Sequence, residues 1–223
     1  MVAPESVIVY SCVTGGRDKI KRLGFRDDFR YVMFTDQEVG DCDWEVKRIS
    51  APDPLRAARY HKHHPHELFP EASVTIWIDG THWPYTSLAP LLELLGDNHI
   101  AASRHYCRAN SFDEASVCME SGMGDVDRIR SQTAAYRAEG FRDDLGLYET
   151  SYLVRRNGKP LVELQELWWS QMVKYCMRDQ ISLTYCLWRL NIGISVIPGV
   201  CRCGRNDFFK MRPHRKNPDL ILI

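Results

Sequence analysis

The segment Val74-Thr75-Ile76-Trp77-Ile78 reads as a strand buried on both faces, and Asp79-Gly80-Thr81-His82 ends it abruptly. β-Branched and aromatic side chains without polar alternation suit the middle of a parallel sheet. Such a strand has no interior place for a carboxylate, so Asp79 belongs at its carboxyl end. In open α/β sheets that edge is where ligands bind. Two earlier segments repeat the pattern. Ser6-Val7-Ile8-Val9-Tyr10-Ser11-Cys12-Val13 runs into Thr14-Gly15-Gly16-Arg17-Asp18, and Tyr31-Val32-Met33-Phe34 ends on Thr35-Asp36. A double-glycine turn suits close approach of backbone to a ligand.

Periodicity and turn residues predict strands over 6–13, 31–36, 44–49, 74–79, 99–103, 148–155 and 195–197. Helices are predicted over 54–64, 88–95, 113–119, 125–139, 161–175 and 180–189, with Pro65 closing the first and Gly140 the fourth. Strands alternate with helices, and no repeat or linker interrupts 1–223. The expectation is therefore one α/β domain with a mostly parallel central sheet flanked by helices.

The 223 residues carry no formal net charge, with 26% charged and 44% hydrophobic side chains. That balance argues against broad electrostatic binding of nucleic acid. No apolar run reaches the roughly 20 residues of a membrane span, and Met1-Val2-Ala3-Pro4-Glu5-Ser6 is not a signal peptide. The expectation is a cytoplasmic protein, or the catalytic domain of a longer one. The eight cysteines are scattered and read as reduced thiols. Cys201-Arg202-Cys203 is the one close pair, too little for structural zinc.

Several residues have both a bland and a chemical reading. Arg56, Arg59 and Lys62 recur every third residue on one helix, which makes a cationic stripe. The stripe suits phosphate, or simply water. His61, His63, His64 and His66 invite a metal but crowd a helix end broken by Pro65. Asp179 either caps the following helix or, with Gln180, serves as base and hydroxyl binder. Trp83, Trp168 and Trp169 are core residues or sugar platforms. His214 lies in a basic tail and suits a metal only with other ligands.

Taken in order, these pieces resemble a family. The matching runs are Tyr10-Ser11-Cys12-Val13-Thr14-Gly15-Gly16-Arg17-Asp18, Phe34-Thr35-Asp36, Arg56-Ala57-Ala58-Arg59-Tyr60-His61-Lys62 and Pro65-His66-Glu67-Leu68-Phe69-Pro70. They continue through Ile76-Trp77-Ile78-Asp79-Gly80, Tyr136-Arg137-Ala138-Glu139-Gly140, Gly146-Leu147-Tyr148-Glu149, Arg155-Arg156-Asn157, Trp168-Trp169, Arg178-Asp179-Gln180-Ile181-Ser182 and His214-Arg215. The set resembles, over nearly the whole chain, the glycosyltransferase-like domain that includes the plant turgor-regulation-defect protein and mucilage-related proteins.

The resemblance implies a GT-A-like, Rossmann-like fold and transfer of a sugar from a nucleotide-diphosphate sugar to a saccharide or glycoconjugate acceptor. It implies that Thr14, Gly15, Gly16 and Asp36 line the nucleoside pocket and that Arg56, Arg59 and Lys62 face the diphosphate. Asp79, beside Gly80, would face a divalent metal (Mn²⁺ or Mg²⁺), with His214 as a further ligand. Asp179 and Gln180 would face the sugar or acceptor. For a catalytic base, Asp179 is the first choice and Glu149 the second. The chain departs from the usual metal motif: Thr81 stands where a second carboxylate is expected. Two other readings remain at this point. One is a metal-dependent hydrolase built on Asp79, the histidines of 61–66 and His214. The other is a non-catalytic nucleotide or sugar binding module.

Overall fold

The computed structural model describes residues 6–200, 202 and 206–212. Seven strands form one sheet in the order β3-β2-β1-β4-β7-β6-β8. They are β1 Val7–Val13, β2 Arg30–Thr35, β3 Glu45–Arg48, β4 Val74–Ile78, β6 Ile100–Ser103, β7 Tyr152–Arg156 and β8 Ser195–Ile197. β1 pairs in parallel with β2 and β4, β2 with β3, and β6 with β8. Only β7 runs against its neighbours β4 and β6. The mostly parallel sheet expected from the sequence is therefore present.

Every residue of β1 and β4 is buried. Side chains alternate between faces along a strand. Ile8, Tyr10, Cys12 and Trp77 point to one face, where they pack with Leu164, Trp168 and Met172 of α6 (Lys159–Lys174) and Leu183 and Leu187 of α7 (Asp179–Leu190). Val7, Val9, Val13, Ile76 and Ile78 point to the other, against Leu91 and Leu95 of α3 (Pro90–Leu95). Each fully buried aliphatic or aromatic side chain contributes about 1.5–3 kcal/mol.

α1 (Pro54–His63) begins where the sequence marks it: Asp53 accepts from the Arg56 amide at 3.0 Å, and Pro54 occupies the first turn. Pro65 does more than close it, since it starts a short α2 (Pro65–Leu68). α4 (Ser111–Glu120) and α5 (Val126–Ala138) pack outside α7. The strand expected over 148–155 starts later, at Tyr152; Tyr148 makes an isolated bridge to Arg104 instead. One pairing was not foreseen: β5 (His82–Pro84) lies antiparallel to β9 (Phe209–Met211). Asn206 fixes β9, its carboxamide oxygen accepting from the Phe208 and Phe209 amides. Among the described residues no helix is long and apolar enough to cross a membrane.

Candidate active site

The strand directions bring one edge of the sheet together. β1, β2, β4 and β6 end there, while the reversed β7 begins there. Thr14, Asp36, Asp79 and His105 therefore lie along the edge from which the segment Glu149-Thr150-Ser151 leads into β7. The Asp79 amide donates to the Ser151 carbonyl at 2.7 Å, and the Glu149 amide to the Ser103 carbonyl at 2.8 Å.

The glycine turn after β1 is tied to its surroundings. The Gly15 amide donates to both Asp36 oxygens, at 3.1 and 3.0 Å, and the Thr14 hydroxyl to the Pro54 carbonyl at 2.7 Å. Gly15 and Gly16 adopt φ of 66° and 62°. A Cβ on Gly15 would lie 2.8 Å from the Pro54 Cβ, whereas one on Gly16 meets nothing within 4 Å. Gly15→Ala should thus cost about 2 kcal/mol, from left-handed backbone plus clash, and Gly16→Ala only about 1 kcal/mol. Equal melting temperatures for the two variants would show that Pro54 yields freely.

Asp79 follows Trp77 by two residues and shares its face. The Trp77 indole donates to Asp79 Oδ1 at 2.6 Å, and Lys62 Nζ lies 3.4 Å from the same oxygen. Lys62 is 1% exposed, and its ammonium donates to Asp179 Oδ2 at 2.6 Å. Arg59 Nη1 donates to that same oxygen at 2.7 Å, and the Thr150 hydroxyl at 2.9 Å. Two of the three expected diphosphate-facing cations are thus spent on an internal carboxylate. Arg56 alone is exposed, its guanidinium 5.7 Å from the Trp169 ring centre.

Asp179 is the first residue of α7, and Arg178 takes the cap position without a side-chain bond. Burial pushes the Asp179 carboxyl up, but Arg59 and Lys62 more than reverse this and hold it well below the usual carboxylate range. A carboxylate so stabilised is a weak base, which counts against Asp179 as the first-choice catalytic group. Gln180 donates to the Tyr148 carbonyl at 3.1 Å, so its amide is committed to the scaffold. Trp168 is fully buried, with its indole donating to the Asp179 carbonyl at 2.9 Å; it is core, not a sugar platform.

Glu149 differs in kind. It is 6% exposed, and its Oε1 has no hydrogen-bond partner among the described residues. Burial raises its carboxyl from 4.5 to about 7; Glu114 and Asp79 push the same way, and Arg202 and Arg108 oppose. His105 Nε2 lies 3.6 Å from Oε1. Burial and the charges of Arg108 and Arg202 lower that imidazole to about 4, so it is neutral at pH 7. Glu149, His82, Ser151, Tyr152 and Arg202 line a void of about 10 Å³, the size of one water. His82 is also neutral, burial lowering it to about 4.

A larger cleft of about 440 Å³ opens between the 18–22 segment and β5. Its lining includes Asp18, Lys19, Lys21, Arg22, Trp83 and Arg212. Sequence reasoning passed over it. The available signal was the run Arg17-Asp18-Lys19-Ile20-Lys21-Arg22 directly after the glycine turn. Arg212 joins it only through the β5–β9 pairing, which no local pattern announces.

The model of the TOD1/MUCI70 glycosyltransferase-like domain matches residues 44–214. The chain belongs to this family. The match runs from the start of β3 onward, so it carries Asp79, Glu149 and Asp179, while the glycine turn and Asp36 precede it. That is narrower than the near-complete coverage expected from the sequence. Among the curated proteins, none matches. Among solved structures, the apo form of WbbM, described as a bifunctional glycosyltransferase, is similar at 11% identity and a TM-score of 0.48. The similarity covers 89% of this chain and 40% of that one, so this chain spans less than half the neighbour's length.

A family of this description raises the question of a divalent metal. Mn²⁺ and Mg²⁺ favour several oxygen donors. Among the described residues no three His, Cys, Asp or Glu side chains gather into such a set. Asp79 Oδ1 already accepts from an indole and faces an ammonium, and Thr81 Oγ1 is 2.9 Å from His82 Nδ1. His214 lies outside the described residues. The described side chains do not fit a resident divalent ion. Nor do the histidines of the hydrolase reading converge. His64 stacks on Tyr60 at 4.0 Å, His61 packs on Phe34 at 4.5 Å, and His63 sits edge-on to Trp168 at 4.3 Å.

Proposed function

We propose that this member of the glycosyltransferase-like family transfers a sugar from a nucleotide-diphosphate sugar to a hydroxyl of a saccharide or glycoconjugate, with inversion at the anomeric carbon. The observation that carries the reading is Glu149, a buried carboxyl with proton affinity near neutrality at the sheet edge where α/β folds bind ligands. The order of the sheet, with its single reversed strand, supports a GT-A-like arrangement.

In the reaction the acceptor hydroxyl gives its proton to the Glu149 carboxylate. The oxygen forms a bond to the anomeric carbon as the carbon–oxygen bond to the diphosphate breaks, and that electron pair leaves on the nucleoside diphosphate. A base with a pKa near the working pH combines availability with driving force, and such a group contributes typically 10²–10⁴ in rate. Thr14, Gly15, Gly16 and Asp36 form the nucleoside corner, next to the carboxyl end of β2. Asp79 and Gly80 lie beside the transferred sugar. Asp179 and Gln180 act from beneath, the first by holding Arg59 and Lys62 in place.

A thermal-shift screen of nucleoside diphosphates and nucleotide-sugars, with and without Mn²⁺, tests this reading. A ligand at one hundred times its Kd adds about 2.7 kcal/mol, a Tm rise of roughly 5–10 °C for a chain of this size. One base family is expected to stand out, and growth of the shift with Mn²⁺ would show metal entering with the donor. A flat response to every nucleotide would sink the transferase. A non-catalytic module would show the shift, yet no sugar transfer.

A further inference from the structure

We infer that the cleft formed by Lys19, Lys21, Arg22 and Arg212 around Trp83 is a phosphate-binding subsite that receives the diphosphate of the donor. The inference rests on the glycosyltransferase reading for the source of the phosphates, but not for the site itself. It relocates the anion from the α1 stripe to the opposite face of the sheet.

The α1 stripe cannot supply the charge. Arg59 and Lys62 bond one oxygen of Asp179, which leaves Arg56, stacked at the surface. The cleft has the reverse balance. Among the described residues its lining brings four cationic side chains together with one carboxylate, Asp18. Arg22 reaches Asp41 only at 3.8 Å, both side chains being mostly exposed, so that pair is weak. Like charges gathered in a concave wall focus a positive potential that favours an anion.

Two of the cations, Lys21 and Arg212, are held in place. The Lys21 ammonium lies 5.6 Å from the Trp83 ring centre, and the Arg212 guanidinium 5.4 Å. Lys21 Nζ also donates to the Gly80 carbonyl, and the Arg212 amide to the Thr81 carbonyl at 3.0 Å. Burial pulls the Lys21 ammonium down; Asp18 opposes this and Arg212 adds to it. An anion in the cleft would relieve the Lys21–Arg212 repulsion. The Trp44 indole donates to the Lys21 carbonyl at 2.9 Å, which fixes the segment from below.

The place is right as well as the charge. Lys21 and Arg212 are bonded to the two residues that follow Asp79, so the cleft opens beside the end of β4. Ile20 and Leu23 pack in the cluster of Val7, Val9 and Val13, on the face away from Trp77 and Lys62. Gly80 lets this edge pack closely: a Cβ there would lie 2.7 Å from Val13 Cγ2 and 3.7 Å from Asp18 Oδ2. The volume, about 440 Å³, lies in the range of small-molecule sites and exceeds what a diphosphate needs.

Calorimetric titration of the whole chain in EDTA tests the site directly. The probes are inorganic pyrophosphate, glucose 6-phosphate, UDP, GDP, and the matching nucleosides. The variants are Lys21→Gln, Arg212→Gln and, should Lys21→Gln fold poorly, Lys19→Gln, an exposed side chain with no hydrogen bond or ion pair among the described residues. Lys159→Gln, a surface pair with Glu163, is the control. Pyrophosphate should bind without metal and lose at least tenfold in Kd on Lys21→Gln or Arg212→Gln, and several-fold on Lys19→Gln. A nucleoside diphosphate bound more tightly than pyrophosphate, with the same losses, supports the donor as the source. Pyrophosphate and sugar phosphate bound with those losses, but no gain from a nucleoside, would keep the subsite and overturn the donor assignment in favour of a phosphorylated acceptor. A nucleoside diphosphate bound equally by all variants would overturn the subsite and leave the transferase standing. No binding of any phosphate would overturn it outright.

Discussion

Glu149→Gln is expected to reduce sugar transfer by at least a hundredfold while leaving donor affinity within a few-fold of wild type. The carboxamide keeps the shape of the side chain and cannot accept the acceptor's proton. The loss belongs in kcat, because a base acts on the transition state and not on the bound donor. In the wild type, transfer should rise with pH through an apparent pKa near 7 and then level, since the deprotonated form is the active one. Glu149→Gln should flatten that rise. A variant retaining more than a tenth of the activity, with an unchanged pH profile, would remove Glu149 from the chemistry.

The same carboxyl makes a stability prediction of known sign. Its folded-state pKa is raised, so the folded protein holds the proton more tightly than the unfolded chain does. The associated stability is fully present below the unfolded value and is lost as pH climbs from 4.5 to about 7. Moving a pKa over that interval is worth about 3 kcal/mol. At pH 8 Glu149→Gln should therefore melt higher than wild type, and at pH 4 the two should converge. A buried carboxyl that destabilises its own fold at working pH is the kind of position where stability is traded for function. A Glu149→Gln variant that melts lower than wild type at pH 8 would show that the fold compensates the ionised carboxylate.

Much of this scaffold is legible in the chain because buried parallel strands write themselves as unbroken apolar runs. Val74 to Ile78 marks both a central strand and the edge at which Asp79 emerges. Asp53-Pro54 marks the start of α1 by capping chemistry alone. Charge pairing is harder to read. Spacing of three places Arg56, Arg59 and Lys62 on one helix face, yet it cannot show that Asp179, more than a hundred residues later, will claim two of them. Glu149 stands in the sequence as a second-choice base, because its raised pKa comes from burial under groups distant in sequence. The cationic cleft needs Arg212 delivered by β9, a long-range pairing of three residues with no local signal.

Asp179→Asn should be the most damaging conservative change in the protein, at about 3–5 kcal/mol or a fall in Tm of roughly 10 °C. Asp179 is 4% exposed and anchors Arg59, Lys62 and the Thr150 hydroxyl through a single oxygen. An asparagine fills the same volume but leaves the fully buried Lys62 ammonium with Asp79 alone, at 3.4 Å. The cost is that of an uncompensated buried cation, larger than the net worth of the ion pair itself. Lys62→Met in the same chain removes that cation, so the double variant should recover part of the loss and exceed Asp179→Asn in stability. Because its folded-state pKa is depressed, Asp179 stabilises the protein above its unfolded value near 4 and ceases to as pH falls through the folded one. Asp179→Asn should accordingly lose less stability than wild type on acidification. Equal melting of Asp179→Asn and wild type at pH 7 would mean that water reaches Lys62. Asp79 would then lose the fixed ammonium that lies 3.4 Å from its Oδ1.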